Sequence, residues 1–244
     1  MRHFLTKALI LRKQPSGEND WYLTLFSPEL GKIRAVSRAS RKICSQKGGH
    51  LDILNLCQFQ LYHNNNRLLI TDCKIENSYL GIKNHLQKSL IGFTITELLL
   101  KTIQEEAENP ELFAITIQAL DDLSQRDDDL TLEEFKIKLL REAGSWPDIA
   151  LCYFCQNKWT EAAPIFCDHQ GHLCCQDCLT ANKNCHDQVC FNTIKLAKFL
   201  AEKNHLPVNL KVTREQLFGL KKLTAVFMQN YLHQELNSEK LLYC

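Results

Sequence analysis

The apolar residues of this 244-residue chain change their spacing at Gly81. Before it they alternate in short runs; after it they recur every third or fourth position. A period of two belongs to strands and one near 3.6 to helices, so the pattern demands a β unit followed by an α unit. Five runs read as strands, at 4–13, 21–27, 32–39, 52–63 and 67–77, separated by the turn sequences "PSGEND", "SPELG" and "HNNNR". In 21–27, Trp21, Leu23 and Leu25 alternate with Tyr22, Thr24 and Phe26, so both faces are largely apolar and the strand should be central. In "KIRAVSRAS", Arg34, Val36 and Arg38 share one face, and Ile33, Ala35 and Ser37 the other. Five short strands in so few residues suit a small barrel without exposed edges. The strand count alone does not separate an OB-fold from an SH3-like barrel.

Beyond Gly81, residues 83–106 place Leu86, Leu90, Phe93, Leu98 and Leu99 near helical spacing. "NPELFAITIQALDDL" opens with Asn109 as N-cap and Pro110 at the first helical position. "TLEEFKIKLLREAG" carries a capping box, Thr131 with Glu134, and Gly144 as its stop. Two later helices are expected, "NTIKLAKFLAEKN" and "TREQLFGLKKLTAVFMQNYLHQEL", the second with a capping box of Thr213 and Gln216. The expected architecture is α+β: a β-barrel domain at 1–80, then an α-helical domain at 81–244 with a cysteine-rich insert at 150–190.

From Cys152 to Cys178 that insert holds six of the chain's twelve cysteines. Cys152-x-x-Cys155 and Cys175-x-x-Cys178 are two thiolate knuckles with nineteen residues between them, the spacing of a four-cysteine zinc site. Two sulfurs on one tight turn reach a single ion at about 2.3 Å, and two turns complete a tetrahedron. A filled tetrahedron leaves no place for substrate, so one structural Zn2+ is expected rather than a catalytic one. The alternative is a set of buried free thiols. Cys174 adjoins Cys175 and would compete poorly within one knuckle; Cys167 and His169 lack a partner at knuckle spacing; Cys185 and Cys190, with four residues between them, could form a second site only with leftover ligands. The residues before the cysteine pairs do not match a thioredoxin-like or zinc-deaminase pattern.

Charge is divided unevenly along the chain. Residues 1–80 hold twelve Lys/Arg against six Asp/Glu, a balance of +6; the rest hold seventeen against twenty-two, a balance of −5. Lys32, Arg34, Arg38, Arg41, Lys42 and Lys47 are concentrated in "GKIRAVSRASRKICSQKGGH", and no acid lies between Glu29 and Asp52. A basic strand feeding a basic loop suits phosphate tracking by nucleic acid; the plain reading is a solvated loop. Arg67 would extend that surface. Most aromatics, Trp21 and Phe26 included, read as packing, with Tyr22 and Tyr62 the better stacking candidates because a hydroxyl favours a wet edge. There is no P-loop, HExxH or GxSxG motif. Asp127, Asp128 and Asp129 read as favourable charges at a helix start. No apolar run of 18 residues occurs, and the N-terminus does not read as a signal peptide, so a reducing cell interior is expected. Nothing points to catalysis, a small-molecule substrate or a membrane.

In its order of motifs the chain resembles the bacterial recombination mediator family RecO. The resemblance rests on "ILRKQPSGENDWYLTLFSPELGKIRAVSRASRK", "GGHLDILNLCQFQLY", "TITELLLKTIQEEAENPELFAITIQALDDL", "LEEFKIKLLREAGSWPDIALCYFC", "GHLCCQDC" and "LKKLTAVFMQNYLHQELNSEKLL". It departs in having His172, Leu173 and Cys174 before the second knuckle, and Cys167, Cys185 and Cys190 as extra thiols. The resemblance implies an N-terminal OB-fold that binds single- and double-stranded DNA. It further implies annealing of complementary strands, loading of RecA with RecR onto DNA coated by single-strand-binding protein (SSB), and a bacterial cytoplasmic, nucleoid-associated location. The acidic SSB C-terminal tail would dock on the helical domain, where Lys195, Lys198 or Lys221 could contribute. The competing reading is a zinc-stabilised protein–protein adaptor that does not bind DNA.

Overall fold

A computed structural model describes residues 3–42, 45, 47–64, 67–126, 129–161, 163–181, 185–203, 210–234, 236 and 238, with backbone alone at 180, 181 and 185–187. The chain packs as two compact units, residues 1–127 with 236–244, and residues 128–235. The change from strand to helix falls near residue 80, but the packing units divide elsewhere, because two of the helices beyond residue 80 pack on the barrel.

The first unit is built on a closed barrel of β1 (His3–Ser16), β2 (Asp20–Ser27), β3 (Gly31–Ser37), β4 (Leu56–Asn64) and β5 (Arg67–Asn77). The order around it is β1-β2-β3-β5-β4. All neighbouring pairs are antiparallel except β3 with β5. This is the five-stranded OB-like arrangement. Ala8, Ile10, Leu23, Leu25, Ile33, Ala35, Cys57, Phe59, Leu61 and Ile70 fill the interior from alternate positions. The expected fourth strand, at 52–63, begins later, at Leu56. Leu54 adopts a left-handed conformation (φ 69°) that ends regular pairing, yet Leu51 and Leu54 are fully buried, so their apolar character signals core rather than strand.

Helices α1 (Leu80–Lys83), α2 (Leu86–Thr102) and α3 (Pro110–Gln125) complete this unit. Asn109 caps α3 by accepting from the Leu112 backbone N–H, and Pro110 sits in its first turn, as the sequence predicts. Phe113 of α3 meets Phe26 edge-on at 5.3 Å. The apolar face of α2 differs from expectation. Ile91, Ile95, Leu98 and Leu99 are buried, whereas Leu86 is 79% exposed and Phe93 43% exposed. This helix is apolar over most of its circumference, so spacing alone leaves the choice of buried face open.

In the second unit α4 (Leu130–Glu142), α6 (Phe191–Glu202) and α7 (Arg214–Leu232) pack on one another. Thr213 and Gln216 form the predicted capping box. Thr131 and Glu134 do not: both lie buried within α4, which starts at Leu130 because that side chain is itself core. Gly144 (φ 66°) closes α4, with its N–H donating to Arg141 and the Ser145 N–H donating to Leu140. Between α4 and α6 lie β6 (Ile165–Asp168), β7 (Leu173–Cys175), α5 (Gln176–Ala181) and β8 (Cys185–Val189). The three strands form an antiparallel sheet, ordered β7-β6-β8, that the knuckle reading did not anticipate. Among the described residues no helix is long and apolar enough to cross a membrane.

A strap over 104–109 lies against the barrel. The Glu106 N–H donates to Lys32 O at 3.1 Å, the Asn109 N–H to Pro28 O at 3.1 Å, and Glu105 bridges Lys32 in parallel register. Gly31 (φ +64°) permits this approach, since a Cβ there would stand 2.0 Å from Ala107 O. Gly17 has a similar φ of +60° but open space around it. Denaturant titration should therefore show Gly17→Ala costing about 1–2 kcal/mol from conformation alone. Gly31→Ala should lose a further ~1–3 kcal/mol from the clash. Equal losses would show that the strap yields freely.

Candidate metal centre and nucleic-acid interface

The first knuckle is a tight turn. The Cys152 N–H donates to Asn157 O, the Gln156 N–H returns to Cys152 O, and Gln156 takes the left-handed conformation (φ 60°) that reverses the chain. The second knuckle begins at the last residue of β7, Cys175, and ends on the first turn of α5 at Cys178. The Tyr153 N–H donates to Leu173 O at 2.8 Å, which ties one knuckle to the strand carrying the other.

Sequence positions twenty or more residues apart thereby converge. The sulfurs of Cys152, Cys155, Cys175 and Cys178 all lie within 4.8 Å of one another, and those of Cys155 and Cys175 are 3.8 Å apart. A tetrahedron with metal–sulfur bonds of about 2.3 Å has edges of about 3.8 Å, so the four thiols are spaced to hold one metal ion. Burial pushes the Cys152 thiol up, but backbone N–H groups of Cys155, Cys175 and Phe154 outweigh it and bring the thiol down to about 6. Cys178 is pushed up to about 12, first by its hydrogen bond with Cys175. One sulfur thus already has an environment for a thiolate, and a cation would be needed to hold four.

The neighbouring candidates are placed apart from this tetrad. Cys174 is fully buried and, on a strand, alternates away from Cys175; Cys167 is buried on β6. His172 pairs with the Asp168 carboxylate at 3.0 Å and stacks on Tyr153 with centroids 3.8 Å apart. Cys190 is exposed. The side chain of Cys185, and Cys44, Asp127 and Asp128 altogether, lie outside the described residues.

On the barrel, Lys32, Arg34, Val36 and Arg38 occupy alternate positions whose side chains face away from the interior. Arg34 and Arg67 lie at one end of the parallel β3–β5 pair and line a common groove of ≈ 730 Å³ with Tyr22, Lys32 and His63. Arg34 pairs with the Glu105 carboxylate. Lys32 donates to Leu100 O at 3.0 Å, and burial lowers its pKa. Lys47 reaches Ile70 O and Thr71 O, both at 3.4 Å. Arg38, Lys42 and Arg67 are exposed, and their side chains make no hydrogen bond or ion pair among the described residues.

The turn after β3 is fixed to the β1–β2 turn. The Arg41 N–H donates to Asn19 O, its guanidinium to Gly17 O, and the Ala39 N–H to the Asp20 carboxylate. Arg41 and Lys13 also lie over the Trp21 ring, at 5.2 and 4.5 Å from its centroid. Trp21 therefore joins the basic rim as well as packing against the barrel core. Lys13 precedes the basic run and is not marked by it; two-residue alternation puts it on the same face of β1 as Pro15, which stands opposite Trp21. Tyr22 lines the groove, whereas Tyr62 lies against His3 at 4.7 Å.

Two family models, for the N-terminal and C-terminal parts of recombination protein O, match residues 1–79 and 84–240 in that order. The chain belongs to the RecO family of DNA repair proteins. A DNA repair protein RecO of Dehalococcoides mccartyi is 32% identical over 89% of the chain and 86% of its own length. That of Desulforamulus reducens is 26% identical over 99% and 94%. Within this RecO-family chain, the boundary between the two matches falls where the barrel gives way to α1.

Metal analysis of purified variants tests the tetrad. Cys152→Ser and Cys175→Ser should each lower bound metal from one ion per chain toward zero, while Cys167→Ser and Cys174→Ser should retain it. Retention by both of the first pair would remove the tetrad as the ligand set.

Proposed function

We propose that the chain is a non-enzymatic, cytoplasmic recombination mediator. It binds single- and double-stranded DNA through the barrel, anneals complementary strands, and assists RecR in loading RecA onto SSB-coated DNA. The observation that carries the DNA reading is the basic rim: exposed Arg38 and Lys42 stand beside an Arg41 anchored by Gly17 and Trp21. Pre-anchored cations lose less side-chain freedom on meeting a phosphate, and arginine offers it a planar fork. Family membership over both halves supports the wider mediator role. Lys32, Arg34, Lys47 and Arg67 extend the proposed contact surface across the barrel.

In this reading Cys152, Cys155, Cys175 and Cys178 hold one Zn2+ whose role is folding. Soft thiolates in a tetrahedral set favour zinc, and four protein ligands leave no position for a reacting water. A second reading, a protein–protein adaptor without DNA binding, draws on Tyr153 and Phe154, which are 54% and 41% exposed beside the tetrad.

Salt-dependent DNA binding separates the two. Replacing Arg38, Arg41 and Lys42 one at a time by Gln should weaken binding and flatten the log K versus log salt slope by about 0.7 per lost single-strand contact. An annealing assay on complementary strands, with and without SSB, tests the mediator role. Unchanged slopes would discard the rim assignment, and no annealing under either condition would discard the mediator reading.

A further inference from the structure

The groove beside the rim is not as cationic as the sequence suggests. Lys32, Arg34 and Arg67 line it, but so do Glu29, Glu105 and Glu106. Glu29 is held away from the arginines' service, since Thr6 Oγ1 and Ser27 Oγ each donate to its carboxylate at 3.0 Å. Glu105 is different. Its carboxylate meets the Arg34 guanidinium, the same planar, bidentate-capable partner that a phosphodiester would seek.

Glu105 arrives there on a strap fixed by other means. Backbone bonds from Glu106 to Lys32 O and from Asn109 to Pro28 O hold it, together with the close approach of Ala107 to Gly31. The ion pair is half exposed on both sides, at 54% and 52%, so it adds little to stability and a competing anion can reach it. The strap would stay in place without the charge. The acid is therefore unnecessary as a tether, while it neutralises an outward-facing arginine in the groove.

We propose that Arg34 and Arg67 form a phosphodiester site for a nucleic-acid strand, and that Glu105 occupies it in the free protein as a built-in competitor. Arg34 and Arg67 stand side by side across the β3–β5 pair, and Tyr22 on the groove wall offers a ring to an adjoining base. A strand entering the groove exchanges the Glu105 carboxylate for a phosphate on Arg34. The strap then limits weak binding, because each encounter must first displace an internal anion. This inference rests on the DNA-binding reading of the barrel.

The test is fluorescence anisotropy of a labelled oligothymidine with the full chain, across a salt series. Glu105→Gln should bind about two- to fivefold tighter, the strength of one exposed ion pair released. Its salt slope should match the parent's, because Arg34 meets the same phosphate in both bound states, whereas Arg34→Gln should flatten the slope by about 0.7. Glu105→Ala should behave alike, and both should melt with the parent because the strap is held by backbone. In an Arg34→Gln background the gain should vanish. The proposal is overturned if Glu105→Gln matches the parent in affinity, or if its gain persists without Arg34. Salt-sensitive parental binding that weakens in Arg38→Gln and Lys42→Gln, with no Glu105 effect, would sink this proposal and leave the DNA reading standing. No parental DNA binding would sink both.

Discussion

Closure of the barrel depends on β1 serving two partners along its length. Its first half pairs with β4, from His3 to Leu9, and its second half with β2, from Leu9 to Ser16. A register shift between Ile10 and Arg12 marks the changeover. There the Leu54 N–H donates to Ile10 O and the Ile10 N–H to Asn55 O, so the strand stays hydrogen-bonded as it switches. A bulge bends a strand and raises its twist, which is what a five-stranded sheet needs to meet itself. Without that bend β1 and β4 would be exposed edges, and the inward alternation of Leu23, Leu25, Ile33 and Ala35 would have no opposite wall. The outward positions that carry Lys32, Arg34 and Arg38 follow from the same alternation, because a one-residue slip would turn them into the core.

The proposed DNA-contact surface is a matter of charge already partly engaged. Arginines counted along a sequence look equivalent, but here they are not. Arg34 faces a carboxylate, Arg41 is pinned over an indole, and Arg38 is exposed without an ion-pair partner among the described residues. The acid that changes the count, Glu105, lies 71 residues after Arg34 and reaches it through the helical part of the first unit. Local net charge is thus a poor guide to local potential when a strap from a distant segment crosses the strand.

What the sequence makes legible follows the same distinction between local and distant causes. The five strands, the Asn109 and Thr213 caps, the Gly144 stop and each C-x-x-C turn depend on neighbours within a few residues and are readable, and the nineteen-residue spacing of the two turns is what suggests their pairing. The buried side of α2 was not, because its apolar residues surround the helix and only the barrel surface chooses among them. Thr131 with Glu134 matched a capping pattern, yet burial of Leu130 drew the helix start forward and placed both residues inside. Trp21 read as core from its strand, while its cation contacts come from β1 and from the turn after β3. The insert's sheet was hidden because its strands are only three to five residues long.

Such short strands also explain why the insert would require a metal. Between α4 and α6 the described residues make three brief strands and one short helix, with Ile165, Leu173 and Val189 among the few buried aliphatic side chains described there. Segments of this size seldom bury enough apolar surface to offset the entropy of ordering, and commonly rely on a cross-link. The knuckles fall where a cross-link constrains most: one on the loop that leaves α4 and Gly144, the other at the junction of β7 and α5. The backbone bond from Tyr153 to Leu173 sets their register, but a single exchanged hydrogen bond contributes only about 1 kcal/mol. Four thiolates on one ion would fix the same two segments far more strongly. This accounts for a tetrad of sulfurs whose closed geometry offers a substrate nothing, within a chain whose proposed DNA contacts lie entirely on another fold.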